Sequence, residues 1–275
     1  MKDWLRRMAT RRQDPTTSKH VWSTARIIFG LFLFAGLVGI TYAQVRLDVP
    51  YVPTPQDVVD RMLDMAKLTK DDVHIDLGSG DGRIVIAAAK RGARSTGVDI
   101  NPTRIAEAKE NAEKAGVTDR VTFVQGDLFE QDISKADVLT MYLLQSVNIK
   151  LRPKILSDMR PGSRVVSHAF SMNEWEPDQH ERVNGRNLYL WIVPAKAEGR
   201  WQGESGGRKI TLDLKQSFQK LTGTATLDGK SLPVRGHLNG AFIELSVNPG
   251  PDERHLISRV RGNNLEGGNL RATRS

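Results

Sequence analysis

Residues Val73 to Ile86 read VHIDLGSGDGRIVI, and no other stretch of the 275-residue chain restricts its fold as much. Val73-His74-Ile75-Asp76-Leu77 is a short, mostly apolar run, as a buried parallel strand requires. Gly78-Ser79-Gly80-Asp81-Gly82 cannot continue it and must turn. Arg83 to Arg91 then reads as a helix, with Ile84, Val85, Ala88 and Ala89 available for an apolar face. Ser95 to Asp99 is a second strand, and Pro102 suits the first turn of a helix running to about Lys114. Val121–Val124, Asp137–Met141 and Arg164–His168 supply three more strands. Strands alternating with helices imply a parallel sheet covered on both faces. The Asn184-Gly185 turn inside Glu181–Val193 adds a closing hairpin.

In such sheets ligands bind at the carboxyl ends of the strands, which places Asp76, Asp99, Asp127 and Tyr142 along one crevice. A dinucleotide site requires Gly-x-Gly-x-x-Gly and a pyrophosphate on the helix N-terminus. Here the spacing is Gly-x-Gly-x-Gly, and the carboxylates of Asp76 and Asp81 would repel a pyrophosphate. S-adenosylmethionine has no phosphate and carries positive sulfonium and ammonium groups, so it suits an acidic turn. Asp99 follows Gly78 by 21 positions, the distance at which an acid takes a ribose diol. Asp127, after the third strand, is placed for the adenine amino group. The expected cofactor-binding set is Asp76, Gly78, Ser79, Gly80, Asp81, Gly82, Asp99 and Asp127. No His/Asp/Glu cluster has metal-ligand spacing, so no metal is expected.

The net charge of +8 is uneven: residues 1–26 and residues 199–275 each carry +5, leaving the middle at −2. The basic segments therefore lie outside the crevice, and nucleic acid is not expected as a partner. Cys is absent, which excludes disulfides, a thiolate nucleophile and thiolate metal sites. Residues 1–26 form a basic head, and residues 27–43 hold the apolar run IIFGLFLFAGLVGI before Ala43. The run is short beside the roughly 20 residues of a spanning helix. It reads as a signal peptide cleaved at Ala43 or as an anchor. Either reading predicts a membrane-anchored or exported protein, periplasmic by the charge rule. That placement conflicts with the supply of S-adenosylmethionine, which exported domains do not normally meet. After a linker from Pro194 to Gly199, residues 199–275 alternate short apolar runs (Ile210, Leu212, Leu214) with turns at Gly206-Gly207, Asp228-Gly229, Asn239-Gly240 and Gly262-Asn263. They read as an antiparallel meander of about six or seven strands, barrel-like or a curled sheet.

The segment from Asp76 to Ile86 resembles motif I of the class I methyltransferases. Tyr51-Val52-Pro53-Thr54-Pro55, DLGSGDGRIVI, the Ser146-Val147 region and Ser163-Arg164-Val165-Val166-Ser167 resemble one branch of them. That branch includes the mitochondrial protein-lysine methyltransferases of the ATP synthase c subunit and the adenine nucleotide translocase. The resemblance runs from about Val49 to Pro177. It implies an α/β fold with a Rossmann-like seven-stranded sheet over residues 49–195, S-adenosylmethionine as donor, and a protein lysine as acceptor. The small antiparallel β domain at 199–275 lies outside it. No Asn-Pro-Pro-Tyr motif surrounds Tyr142, which disfavours a planar amide or base nitrogen as acceptor.

A lysine nucleophile must be neutral, and from its reference pKa of ~10.4 that costs roughly 4–5 kcal/mol at pH 7. Burial or a positioned acceptor must supply the shift. Tyr51 and Thr54, in a stiff proline-rich lid, and Tyr142 are the residues expected to act on the acceptor, with Gln145 and His168 as further contacts. His74, inside the first strand, and Trp175 read as structural. The alternative acceptors are a small molecule or a lipid; a non-catalytic exported binding protein that kept the fold is the alternative to an enzyme.

Overall fold

The computed structural model describes residues 51–248 and 250–275. The first of its two structural units in this range is a three-layer α/β sandwich. Helix α1 (Gln56–Met65) precedes β1 (Val73–Leu77), α2 (Arg83–Lys90), β2 (Arg94–Asp99), α3 (Pro102–Ala115), β3 (Val121–Gln125), β4 (Val138–Met141), α4 (Gln145–Asp158) and β5 (Arg164–His168). A hairpin of β6 (Gln179–Val183) and β7 (Arg186–Ile192) completes a seven-stranded sheet in the order β3-β2-β1-β4-β5-β7-β6. The first five strands in this order pair in parallel, and β7 is antiparallel to both neighbours. The hairpin turn is Asn184-Gly185, both with positive φ (47° and 80°), as a tight two-residue connection demands.

Local chemistry sets the helix ends. Asn101 caps α3 by accepting the Thr103 N–H at 2.9 Å, Pro102 occupies the first turn, and Gly116 ends the helix with φ 68°. Central β1 buries both faces. Ile75 and Leu77 pack with Leu139, Met141 and Val98 on one side. On the other, α1 and α2 lay Val58, Val59, Met62, Leu63, Ile84 and Ala88 against Val138 and Val166. His74 and Asp76 point into that second layer with Thr140, because residues two apart in a strand share a face.

The second unit is a closed antiparallel barrel of eight strands: β8 (Gly199–Ser205), β9 (Arg208–Ser217), β10 (Lys220–Leu227), β11 (Lys230–Asn239), β12 (Phe242–Val247), β13 (Arg254–Arg261), β14 (Asn264–Glu266) and β15 (Arg271–Arg274). It exceeds the expected meander because β14 and β15 are too short to show alternation. The β9–β10 pairing closes the ring. Alternate residues such as Trp201, Ile210, Leu212 and Leu245 fill its interior, so the barrel encloses a core and no channel. Its β9–β10 turn reaches the sheet. The Phe218 ring stacks on Trp175 at 6.0 Å and lies under the Arg152 guanidinium at 5.2 Å. Gln219 Nε2 donates to the Glu176 carbonyl at 2.8 Å, and Lys220 pairs with the Glu176 carboxylate at 2.7 Å. Trp175 is fully buried, as a packing residue should be.

Among the described residues no helix is long and apolar enough to cross a membrane. The basic head at 1–26 and the apolar run at 27–43 lie outside the described residues.

Candidate functional site

The glycine-rich turn is shaped by contacts that exclude side chains. Gly78, Gly80 and Gly82 all have positive φ (76°, 52° and 79°). A Cβ on Gly80 would sit 2.5 Å from Tyr51 Cε2, and one on Gly82 would sit 2.8 Å from Phe123 Cζ. The turn is tied to β2: Gly78 and Ser79 donate to the Val98 carbonyl, and Gly80 N–H donates to Asp99 Oδ2 at 2.9 Å. Asp99 Oδ1 accepts the Asn101 N–H at 2.8 Å, so the carboxylate joins the turn to the start of α3.

A cleft opens here, over the carboxyl ends of β1, β2 and β4. It brings together Tyr51, Thr54, Asp76, Gly78, Ser79, Gly80, Asp81, Asp99 and Tyr142. Of the expected residues, Gly82 lies behind it, packed on α3. Asp127 and Gln145 are exposed and do not line it. Asp127 Oδ1 accepts the Phe129 N–H at 2.8 Å. Gly126 N–H bonds to the Asp99 carbonyl, which keeps the end of β3 beside the end of β2.

The carboxylates differ in their surroundings. Asp76 is 2% exposed, and burial, with Asp99 and Asp81 nearby, raises its pKa to about 7 despite the Thr140 hydroxyl donating to Oδ1 at 2.6 Å. Burial also pushes Asp81 upward, but the Arg83 guanidinium outweighs it and holds the carboxyl below its ordinary range. Arg83 grips Asp81 through Nε at 2.9 Å and Nη2 at 2.5 Å, and its Nη1 donates to the Thr54 carbonyl at 2.9 Å. One arginine thus pins the proline-rich segment to the turn. Tyr51 covers the rim with its ring under Arg104 at 4.5 Å, and burial together with Asp81 raises its phenol pKa. Arg83, Asn101, Arg104 and Leu143 are lining residues that sequence reasoning missed. Arg83 stands inside the quoted motif; the other three carry no signal of their own.

The β4–β5 side of the cleft is built differently. Thr54 Oγ1 and His168 Nδ1 are 3.0 Å apart, and Tyr142 packs on the His168 ring at 3.9 Å between centroids. Burial, with Arg186 nearby, lowers the His168 pKa to about 4, so the imidazole is neutral at pH 7. Among the described residues no group of His, Asp or Glu side chains is placed to hold a metal ion.

The donor chemistry fits these residues. Two carboxylates, Asp76 and Asp99, face the cleft without an arginine partner of their own, which suits a cationic ligand and opposes a phosphate. Ser79 Oγ is buried with no hydrogen-bond partner among the described residues, a polar atom left for a ligand. Strand order, turn and acidic cleft together define an S-adenosylmethionine-dependent methyltransferase.

Comparison with known proteins narrows the class. Residues 76–179 match the family model of the ANTKMT methyltransferase domain. A protein-lysine N-methyltransferase of Saccharolobus islandicus is 50% identical over 53% of this chain and 94% of its own length. The lysine N-methyltransferase of the ATP synthase c subunit from Mus musculus is 30% identical over 81% of this chain and 91% of its own. A crystal structure of an RNA methyltransferase from Salinibacter ruber in complex with S-adenosyl-L-homocysteine is 53% identical, with a TM-score of 0.52. It covers 53% of this chain and 95% of that one. The chain belongs to the ANTKMT methyltransferase family.

One expectation is overturned by this result. The membrane-anchored or exported placement, periplasmic by the charge rule, does not stand; the signal-peptide or anchor reading of residues 27–43 falls outside the described residues. The family uses S-adenosylmethionine, which the far side of a membrane does not supply.

Proposed function

We propose that this protein transfers a methyl group from S-adenosylmethionine to the side-chain amine of a lysine in a protein substrate. The observation that carries the reading is the 50% identity to the Saccharolobus islandicus protein-lysine N-methyltransferase along 94% of that relative. Asp99 is assigned to the ribose diol and Asp76 with the 78–82 turn to the cationic methionine half; Asp127, which does not line the cleft, follows the end of β3 beside β2 and is assigned to an adenine that extends past it. Asp81 acts through Arg83, which fixes the lid. Tyr51, Thr54 and Tyr142 border the acceptor.

Bound in this cleft, the donor presents a methyl carbon already activated by its sulfonium. The lysine nitrogen forms the new C–N bond as the C–S bond breaks, the electron pair stays on sulfur, and the amine proton leaves to solvent. What the chain must supply is a neutral, aligned amine. Thr54 and Tyr142, backed by the buried, neutral His168, which does not itself line the cleft, form a wall without charge, which withdraws water from the ammonium and lowers its pKa. The barrel's grip on Trp175 and Glu176 supports a role for residues 199–275 in presenting the acceptor.

A second reading, an RNA acceptor, is favoured by the Salinibacter ruber structure. The charge of −2 on the middle of the chain opposes it. Incubating the full chain with methyl-labelled donor and separated protein and RNA fractions tests both. Label recovered as methyl-lysine is the expected result; label in RNA alone would overturn the lysine assignment.

A further inference from the structure

The sandwich layer under α1 and α2 contains three polar side chains that no role above absorbs. Ser95 on β2, His74 on β1 and Thr140 on β4 lie in a line ending at Asp76, and all four residues are buried, His74 and Thr140 completely. His74 Nδ1 is 2.6 Å from Ser95 Oγ, and His74 Nε2 is 2.8 Å from Thr140 Oγ1. Thr140 Oγ1 is 2.6 Å from Asp76 Oδ1. Apolar residues would fill this layer at less cost, since each buried polar group must be matched.

With Asp76 ionised, the hydrogen count allows one arrangement. Burial depresses the His74 pKa to about 3, despite Asp72, so the ring is neutral with a single N–H. Thr140 has one proton, and its short contact to the carboxylate takes it. Its oxygen must then accept from His74 Nε2–H, and His74 Nδ1 accepts from the Ser95 hydroxyl. Asp76 Oδ1 is thereby fixed as an acceptor. Oδ2, which makes no hydrogen bond among the described residues, is left for the cleft. While Thr140 keeps donating to Oδ1, a proton taken up by Asp76 sits on Oδ2, where a cationic ligand must displace it.

We propose that His74 and Thr140 are positioning residues that hold Asp76 in the orientation and protonation state that receive the cationic half of the donor. This rests on the assignment of Asp76 to the donor. Donor binding then expels a proton and strengthens as pH rises through the Asp76 titration. The other charged groups facing Asp76 are Asp99 at the end of β2 and Asp81 on the turn, the latter paired with Arg83 of α2; Arg104 and the Tyr51 phenol stand at the rim. His74, behind it on β1, is neutral.

The test is calorimetric titration of the full chain with S-adenosylmethionine from pH 5.5 to 9. The parent is expected to bind more tightly with rising pH and to release up to one proton. Thr140→Val removes the donor to Oδ1 and is expected to weaken binding about tenfold at pH 7. It should also move the inflection about one unit alkaline, with affinity regained above it. Thr140→Ser restores the hydroxyl and should restore the profile; His74→Leu, which removes the donor to Thr140 Oγ1 and leaves that hydroxyl free to rotate away from Asp76, should fall between. A merely structural role would lower the folded fraction without moving the inflection. If Asp76→Asn leaves the pH dependence of the parent intact, the assignment of Asp76 is wrong. If Asp76→Asn abolishes it but Thr140→Val leaves the inflection in place, Asp76 stands and the positioning role is overturned. Should Thr140→Val not fold, the His74→Leu profile decides on the same criterion.

Discussion

Asp76→Asn should make the protein more stable at alkaline pH and leave it nearly unchanged in acid. The carboxyl is 2% exposed and its pKa rises from 3.8 to about 7, mainly through desolvation. The folded protein therefore binds this proton more tightly than the unfolded chain does. The resulting stabilisation is fully present below about 3.8 and is lost as pH rises through about 7. At pH 5, about two units below the folded pKa, roughly 3 kcal/mol of it remains; at pH 8.5 almost none does.

The parent profile alone cannot show this. His74 and His168, depressed to about 3 and about 4, work in the opposite sense, since they stay neutral in the fold and take up protons on unfolding below about 6.5. Each contributes stability that is present above 6.5 and weakens by roughly 2 kcal/mol by pH 5. The readout is therefore the difference between Asp76→Asn and parent, from urea unfolding at pH 5 and pH 8.5. The variant's advantage at pH 8.5 should exceed that at pH 5 by roughly 3 kcal/mol. A difference that stays constant across this range would refute the reasoning, because a shift of this size cannot be silent in stability.

Other consequences are simpler to check. Asp99→Ala removes the acceptor of both the Gly80 and Asn101 amides, so calorimetric binding of S-adenosylmethionine should weaken at least about tenfold; affinity equal to the parent would count against the ribose assignment. Gly82→Ala places a methyl against Phe123 and Ala108 at φ 79° and should cost about 1–3 kcal/mol, seen as a lower Tm. Phe218→Ala takes away the barrel's stacking partner for Trp175 and Arg152. It should raise the KM for the protein acceptor while leaving donor Kd unchanged; an unchanged acceptor KM would remove the barrel from substrate presentation.

The parts of the fold legible in the sequence are those where one residue type has few alternatives. The glycines of 78–82 adopt positive φ and touch Leu143, Tyr51, Phe123 and Ala108, which leaves no room for a Cβ. Asn184-Gly185 has both residues left-handed, so the hairpin could be placed from two letters. Helix α4 was not, because Pro153 stands inside it and its buried residues Val147, Leu151 and Ile155 are diluted by polar neighbours on the same turns. Tertiary packing of Leu151 and Ile155 overrides the local signal. Helix α1 did carry one, Val58, Val59, Met62 and Leu63 at helical spacing, but the prolines before it read as lid and linker.

Within the site, Asp76 and Asp99 were legible because strand ends in a parallel sheet converge on one crevice. Arg83 was not, because its role depends on a bidentate grip on Asp81 and a bond to a carbonyl 29 residues away. The same limit explains His74. Its period-two alignment with Asp76 was visible, and a lone histidine in a strand reads as structural. Only the parallel register, Asp76 beside Thr140 and His74 beside Ser95, turns that histidine into the middle of a chain of hydrogen bonds. Register between strands that are far apart in sequence is set by the packing of both sheet faces, so a site that depends on it stays hidden until the sheet is assembled.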